Sequence, residues 1–283
     1  MKRFSQLDLF RDGRSVQASN ALRWALGNRD AAEARVALDE LAAAEPSHRW
    51  LAPARRLIEA LETPVPAGSE EALGVLLRLD GEFEDAAHAV FGEEPHELLA
   101  PIWRAVGEAI EERVFEPEHP TRHASYAWMR AGDWANAERC IREVREYRSH
   151  PALLSRMAEA VWYQRRWVQA ADHWFALCWH SPEAFHRLIE CGAVPDPSLK
   201  RAWDTCRDLD VEPEISAAWF PAWMMLHRPG LARMAAAPCG ESPAEEAFDT
   251  MLRLATGRGS VAHLRERLKR LHPGLLALLL ERQ

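Results

Sequence analysis

The chain has 283 residues, of which 48% are hydrophobic and 28% are charged, and its formal net charge is −8. This composition is typical of a soluble protein that forms one or two compact domains or a single stack of helical repeats. The acidic balance argues against broad binding of nucleic-acid backbones, which requires a basic surface. No apolar run approaches the ~18 to 20 residues of a membrane span. We therefore expect a cytoplasmic protein that binds neither nucleic acid nor membrane.

The spacing of apolar residues predicts helices along nearly the whole chain, and no stretch alternates as a strand does. In chain order, the predicted helices lie at residues 19–28, 30–44, 48–62, 69–79, 83–92, 96–114, 121–131, 134–147, 152–164, 167–180, 182–191, 197–208, 213–226, 243–256, 260–271 and 273–282. Capping residues mark several starts, among them Ser242 with Pro243 and Glu245. The sequence predicts an all-α fold.

Four joints between these helices share one pattern, in which a polar or glycine turn is followed by helical residues and then by an alanine. The four alanines are Ala34, Ala86, Ala137 and Ala170. A large side chain at such a position would push two neighbouring helices apart, so we expect these alanines where helices pack closely. Ala137 and Ala170 are 33 residues apart, which indicates a repeat.

Residues 150–182 show the repeat most clearly, as one helix, a turn and a second helix followed by a proline. Their helical faces carry Leu154, Met157, Ala158 and Val161 before the turn and Trp167, Ala170, Trp174 and Leu177 after it. This stretch resembles a tetratricopeptide repeat, whose period is ~34 residues. The resemblance implies a right-handed α-solenoid of antiparallel helix pairs with a helical C-terminal cap. It also implies a surface that binds proteins rather than one that performs chemistry.

The resemblance divides the chain into four segments, which we expect to form one continuous solenoid. They are an N-terminal segment with helical hairpins (1–62), irregular helical pairs (69–114), the best-defined repeats (118–182), and degenerate repeats with capping helices (183–283). The last helix, 273–282, carries leucines nearly all round, so we expect it to be buried.

The register of the repeats predicts which residues face the concave groove. They are Arg122, Tyr126 and Arg130 on one helix and Arg156, Glu159 and Trp162 on the next equivalent helix. Arginine forks match carboxylates and an aromatic ring supplies buried area, which favours an acidic partner segment with one apolar anchor. In the alternative interpretation, these arginines pair with glutamates of the protein itself, Glu159 among them. Three other tryptophans, Trp134, Trp167 and Trp174, are expected to fill gaps between helix layers.

These patterns predict a non-enzymatic adaptor or scaffold that captures a partner peptide or domain and needs no cofactor. Two alternatives belong to other classes. A helical enzyme or metal-dependent protein would use the region of His173, His180 and His186, although their spacing is poor for metal binding. A nucleic-acid-associated regulator would use the basic C-terminal helix, with Arg265, Arg267, Lys269 and Arg270.

Overall fold

The computed structural model describes residues 6–92, 97–228, 230 and 242–282, with side chains from residue 13 onward. Within these ranges the chain forms helices, turns and loops and contains no strand. The all-α prediction is thereby confirmed. By its internal contacts the chain divides into two compact units, residues 1–133 and 134–283, so the predicted segment 118–182 contributes to both.

Unit 1 consists of helices that pack mainly against near neighbours in the sequence. They are α1 (Gln6–Gly27), α2 (Ala31–Ala44), α3 (Leu51–Glu62), α4 (Ser69–Arg78), α5 (Glu84–Phe91), α6 (Ala100–Ala109) and α7 (Ala124–Arg130). The packed pairs are α1 with α2, α2 with α3, α3 with α5, α4 with α6, and α6 with α7. In the last pair, a Cβ atom on Gly107 would lie 2.9 Å from the Trp128 ring, so the glycine permits a close approach of the two helices.

One of the four predicted joints is wrong. At residues 80–82 the chain does not turn, because a π-helical segment, Leu79–Phe83, joins α4 directly to α5. Leu79 and Phe83 are both buried, and this apolar face holds the segment helical despite the Asp80-Gly81-Glu82 sequence. The predicted start of the first helix, at residue 19, is also wrong. The helix α1 begins at Gln6 and continues through Gly13.

Unit 2 contains a central helix that touches neighbours distant in the sequence. The helices are α8 (Trp134–Glu143), α9 (Pro151–Tyr163), α10 (Trp167–His180), α11 (Pro182–Glu190), α12 (Pro197–Arg207), α13 (Phe220–His227), α14 (Pro243–Thr256), α15 (Val261–Leu271) and α16 (Pro273–Glu281). Helix α13 packs against α10, α12, α14 and α16, and all its residues from Phe220 to Leu226 are buried. It begins seven residues later than predicted, after an irregular stretch.

The other three predicted joints share one turn geometry. Arg29, Gly132 and Arg165 have φ values of 61°, 70° and 62°, in the left-handed region. At each joint the amide of this residue donates to the carbonyl three residues earlier, and the next amide donates to the carbonyl five residues before it. This pair of bonds is the Schellman motif, which ends a helix. The alanines that follow, Ala34, Ala137 and Ala170, are fully buried, which confirms that part of the prediction.

The last helix, α16, is less buried than predicted. Gly274 and Leu275 at its start are buried, but Leu280 is 49% exposed and the leucines between them are half-buried. Its burial is concentrated at its first turn, so the remaining leucines only partly leave solvent. No helix in the described part of the chain combines the length and apolarity needed to cross a membrane.

Candidate functional site

Unit 2 contains an open cavity of about 600 Å³, which we call the tryptophan cavity. Its walls come from the end of α9, one face of α10, the start of α12 and the end of α13. The lining residues are Trp162, Tyr163, Arg165, Trp167, Val168, Ala171, Phe175, Asp196, Ser198, Leu199, Met224 and Arg228. Most of these side chains are aromatic or aliphatic, as is usual for sites that bind ligands.

The helical hairpin of α9 and α10 supplies the aromatic wall. Trp162 is the second-last residue of α9, which ends at Tyr163, and Trp167 begins α10 after a turn of three residues. On α10, Val168, Ala171 and Phe175 follow the three-to-four spacing that places them on one face. Phe175 is buried at 2% exposure, whereas Trp167 is 60% exposed. The cavity therefore has a buried apolar floor and an indole that solvent reaches at its edge.

Tyr163 connects this wall to α8. Its ring stacks on Trp134 at a centroid distance of 4.2 Å and meets the Trp162 ring edge-on at 5.1 Å. Partial burial, together with the negative charge of Glu159, raises the pKa of the Tyr163 hydroxyl. The phenol stays neutral near pH 7, and stacking holds both rings in place.

A buried carboxylate fixes the turn between α9 and α10. Glu138 accepts hydrogen bonds from Arg166 Nη1 at 2.7 and 2.8 Å and from Gln164 Nε2 at 2.8 Å, and it pairs with Arg142. Burial would raise the pKa of Glu138, but the bonds from Arg166 and Gln164 and the nearby positive charges lower it overall. Glu138 therefore remains ionised at neutral pH and holds the turn that carries Arg165.

Another part of the wall is formed where α12 begins and α13 ends. Asp196 caps α12, because its Oδ1 accepts bonds from the amides of Ser198 and Leu199 at 2.8 and 3.2 Å. The Ser198 hydroxyl donates to the same oxygen at 2.7 Å, and Arg228 Nη1 donates to the Ser198 hydroxyl at 3.3 Å. The aspartate and serine thus serve as helix cap and as support for Arg228.

Of the three predicted groove residues of unit 2, one lines the tryptophan cavity and two do not. Trp162 lines the tryptophan cavity. Arg156 and Glu159 lie half-buried on the same helix and are not part of the lining. Glu159 is close enough to act on Tyr163 through its charge.

Two of the three predicted groove residues of unit 1, Tyr126 and Arg130, belong to a separate polar cluster. Tyr126 donates a hydrogen bond to Asp80, and Arg130 pairs with Glu84. Trp103 lies between them: its Nε1 donates to Glu84 Oε1 at 3.2 Å, and the Arg130 guanidinium lies 5.8 Å from the centroid of its ring. Arg130 thus follows the alternative interpretation, with Glu84 as its partner. The third residue, Arg122, is half-buried in the short 3₁₀ turn before α7.

The cavity also contains residues that sequence reasoning assigned elsewhere or did not consider. The sequence predicts that Trp167 fills a gap between helix layers, but this residue is largely exposed. It is the first residue of α10, so no earlier helical turn of α10 covers it. Of the other two tryptophans in that group, Trp174 is buried and Trp134 is half-buried. In the sequence, Arg165 can be recognised only as a turn residue, and no pattern marks Arg228 as a binding residue.

The region of the alternative metal hypothesis contains no ligand cluster. His173 is buried in α10, whereas His180 and His186 are exposed. Among the residues that the structure describes, no three histidine, cysteine, aspartate or glutamate side chains come together as metal ligands would. Burial and the positive charge of Arg148 lower the pKa of His173 to about 4.

The basic C-terminal helix α15 lies against the unit through Leu264 and Leu268, which are buried. Arg267 Nε donates to Glu246 at 2.6 Å, and Arg265 is half-buried, whereas Lys269 and Arg270 are exposed.

A second cavity in unit 2, of about 490 Å³, is bordered by acidic and basic residues together, such as Glu183, Glu214 and Arg187. Because this lining carries both charges, it favours neither an acidic nor a basic ligand.

Comparisons with protein-family models, with curated proteins and with solved structures found no match for this chain.

Proposed function

We propose that this protein is a non-enzymatic adaptor or scaffold, and that its tryptophan cavity receives an apolar side chain of a partner protein. One observation carries this proposal: an open cavity of about 600 Å³ whose edge holds a tryptophan that is 60% exposed. Exposed tryptophans around a desolvated pocket are the usual centres of binding energy in protein interfaces. Asp196 and Ser198, two polar residues of the lining, form the hydrogen bonds that cap α12. Their structural role supports a binding site rather than a catalytic one.

We further propose that the helix hairpins are tetratricopeptide-like repeats. Three observations support this idea: the shared turn geometry at Arg29, Gly132 and Arg165, the buried alanines that follow, and the pairing of neighbouring helices. In such a repeat, the turn and the small residue allow two helices to pack closely while their other faces remain available for a partner.

The first test is selection of a random displayed peptide library on the whole protein, followed by affinity measurements with Trp167→Ala. We expect the selected peptides to share a bulky apolar residue, because the cavity offers an aromatic and aliphatic lining. Loss of the Trp167 indole should weaken their binding at least tenfold, as truncation of a hot-spot tryptophan does. The affinity can be read from the polarisation of a fluorescent label on each peptide.

Trp24→Ala is the matched control, since Trp24 is 63% exposed but lies on α1 of unit 1. It should leave the affinity unchanged. The proposal would be abandoned if the library yields no binders, or if the selected peptides bind Trp167→Ala as tightly as the wild type while both proteins remain folded.

A further inference from the structure

The geometry points to an acidic partner segment: we propose that the tryptophan cavity binds a peptide in which a bulky apolar residue is flanked by carboxylates, and that Arg165 and Arg228 recognise those carboxylates. This inference rests on the proposed function and names the chemistry of the partner. It also moves the basic determinants away from Arg122, Arg130 and Arg156, the arginines that the repeat register suggested.

Arg165 is presented by the turn between α9 and α10. Its backbone has a φ value of 62°, a conformation that residues other than glycine rarely adopt. Arg165 is exposed and borders the cavity, and it has no carboxylate partner among the described residues. The next residue, Arg166, is instead bound to the buried Glu138. The turn thus directs one arginine into the protein and leaves its neighbour at the cavity.

Arg228 lies in the part of the wall formed by α12 and α13, directly after α13. It is exposed, and its Nη1 atom donates to the Ser198 hydroxyl at 3.3 Å. In the described part of the chain, Arg228 likewise has no carboxylate partner. The remaining donors of its guanidinium are available to a ligand, because this group carries five N–H bonds.

These two cations favour a ligand of opposite charge. Asp196 is the acidic residue of the lining, but its Oδ1 already accepts three bonds at the start of α12, where the helix dipole also stabilises its charge. The charged residues of the lining, two arginines and one aspartate, thus sum to one positive charge, which favours carboxylates over a cationic ligand. The contrast with the net charge of −8 makes this positive edge a selective feature of the surface.

Synthetic peptides can separate the two parts of the interaction. Each peptide of the series carries the same central phenylalanine and differs only in its flanking residues, which are glutamate, glutamine or lysine. We expect the glutamate peptide to bind the wild type about tenfold more tightly than the glutamine peptide and the lysine peptide to bind most weakly. Polarisation of a fluorescent label on each peptide reports binding.

The chain offers a matched pair of variants for the charge itself. Arg165→Gly removes a guanidinium at a position where glycine suits the positive φ, and Arg29→Gly makes the same change at a turn of the same geometry in unit 1. Arg165→Gly should weaken the glutamate peptide about fivefold and leave the glutamine peptide within about twofold of its wild-type affinity. Arg228→Ala should do the same, whereas Arg29→Gly should change neither peptide.

The outcomes distinguish this inference from the proposed function. If the glutamate and glutamine peptides bind equally well and both lose affinity in Trp167→Ala, the cavity still captures an apolar side chain and the acidic preference is refuted. Tightest binding of the lysine peptide would also refute it. Failure of every peptide in the series, as well as of the displayed library, would overturn both proposals.

Discussion

Replacing Ala170 with leucine is expected to destabilise the protein by about 1 to 3 kcal/mol, the usual cost of forcing a larger side chain into a packed core. Ala170 is fully buried in α10, which packs against α9 across the turn at Arg165. The added side chain would have to displace one helix of this hairpin, because no neighbouring surface is open to it. The free energy of unfolding in urea measures the effect.

Ala135→Leu is the control for this substitution, because it adds the same side chain at an exposed position of α8. We expect it to change the stability by less than about 0.5 kcal/mol, as most surface substitutions do. Equal losses in the two variants would contradict the role of Ala170 as the small residue that lets α9 and α10 approach.

The second large effect concerns pH. Burial, with the nearby charge of Arg148, lowers the pKa of His173 from 6.5 to about 4 in the folded protein. The unfolded chain therefore binds a proton near pH 6.5, while the folded chain does not bind it until about pH 4. The stabilisation associated with neutral His173 is complete above pH 6.5 and is lost as the pH falls from 6.5 toward about 4.

We expect this histidine to remove about 2 kcal/mol of stability between about pH 7.5 and about pH 5. His173→Phe is the informative variant, because a ring of similar size fills the same buried position without titrating. The wild type should lose about 2 kcal/mol more than the variant over this interval, as measured by urea unfolding at each pH. His227 and His272, whose pKa values are also lowered, are present in both proteins and cancel in the difference.

Glu138 does not interfere with this measurement. Its pKa is lowered below the ordinary value of 4.5, so the stability that it contributes is lost only as the pH falls further. Identical pH dependence of the wild type and His173→Phe above pH 5 would contradict this prediction, because it would show that the pKa of His173 is the same in the folded and the unfolded protein.

Local sequence patterns predicted the helices and most of the joints, because these depend on residues close together in the chain. The turns at Arg29, Gly132 and Arg165 follow from a polar residue or glycine after an apolar face, and the structure places the Schellman motif at all three. The joint expected at Asp80-Gly81 failed because burial of Leu79 and Phe83, which depends on tertiary packing, outweighed the local preference for a turn.

The candidate site was much less predictable than the fold. Trp162 could be placed from the faces of its helix, but another part of the wall comes from α12 and α13, which follow α9 in the chain only after two further helices or more. No repeat pattern links these elements to α9 or α10. Their positions follow from the packing of α13 against α10, which the sequence of α13 does not reveal because its residues are apolar on every side.

The most direct test of the proposed capture is photo-cross-linking with a selected peptide that carries benzoylphenylalanine in place of its apolar anchor. Irradiation of the complex, followed by peptide mapping, identifies which residues of the protein the anchor touches. The cavity predicts cross-links to its lining, foremost Met224, Val168 and Trp162, and unlabelled peptide should abolish them by competition. Competable cross-links confined to unit 1, or to unit 2 away from this lining, would contradict capture in the tryptophan cavity.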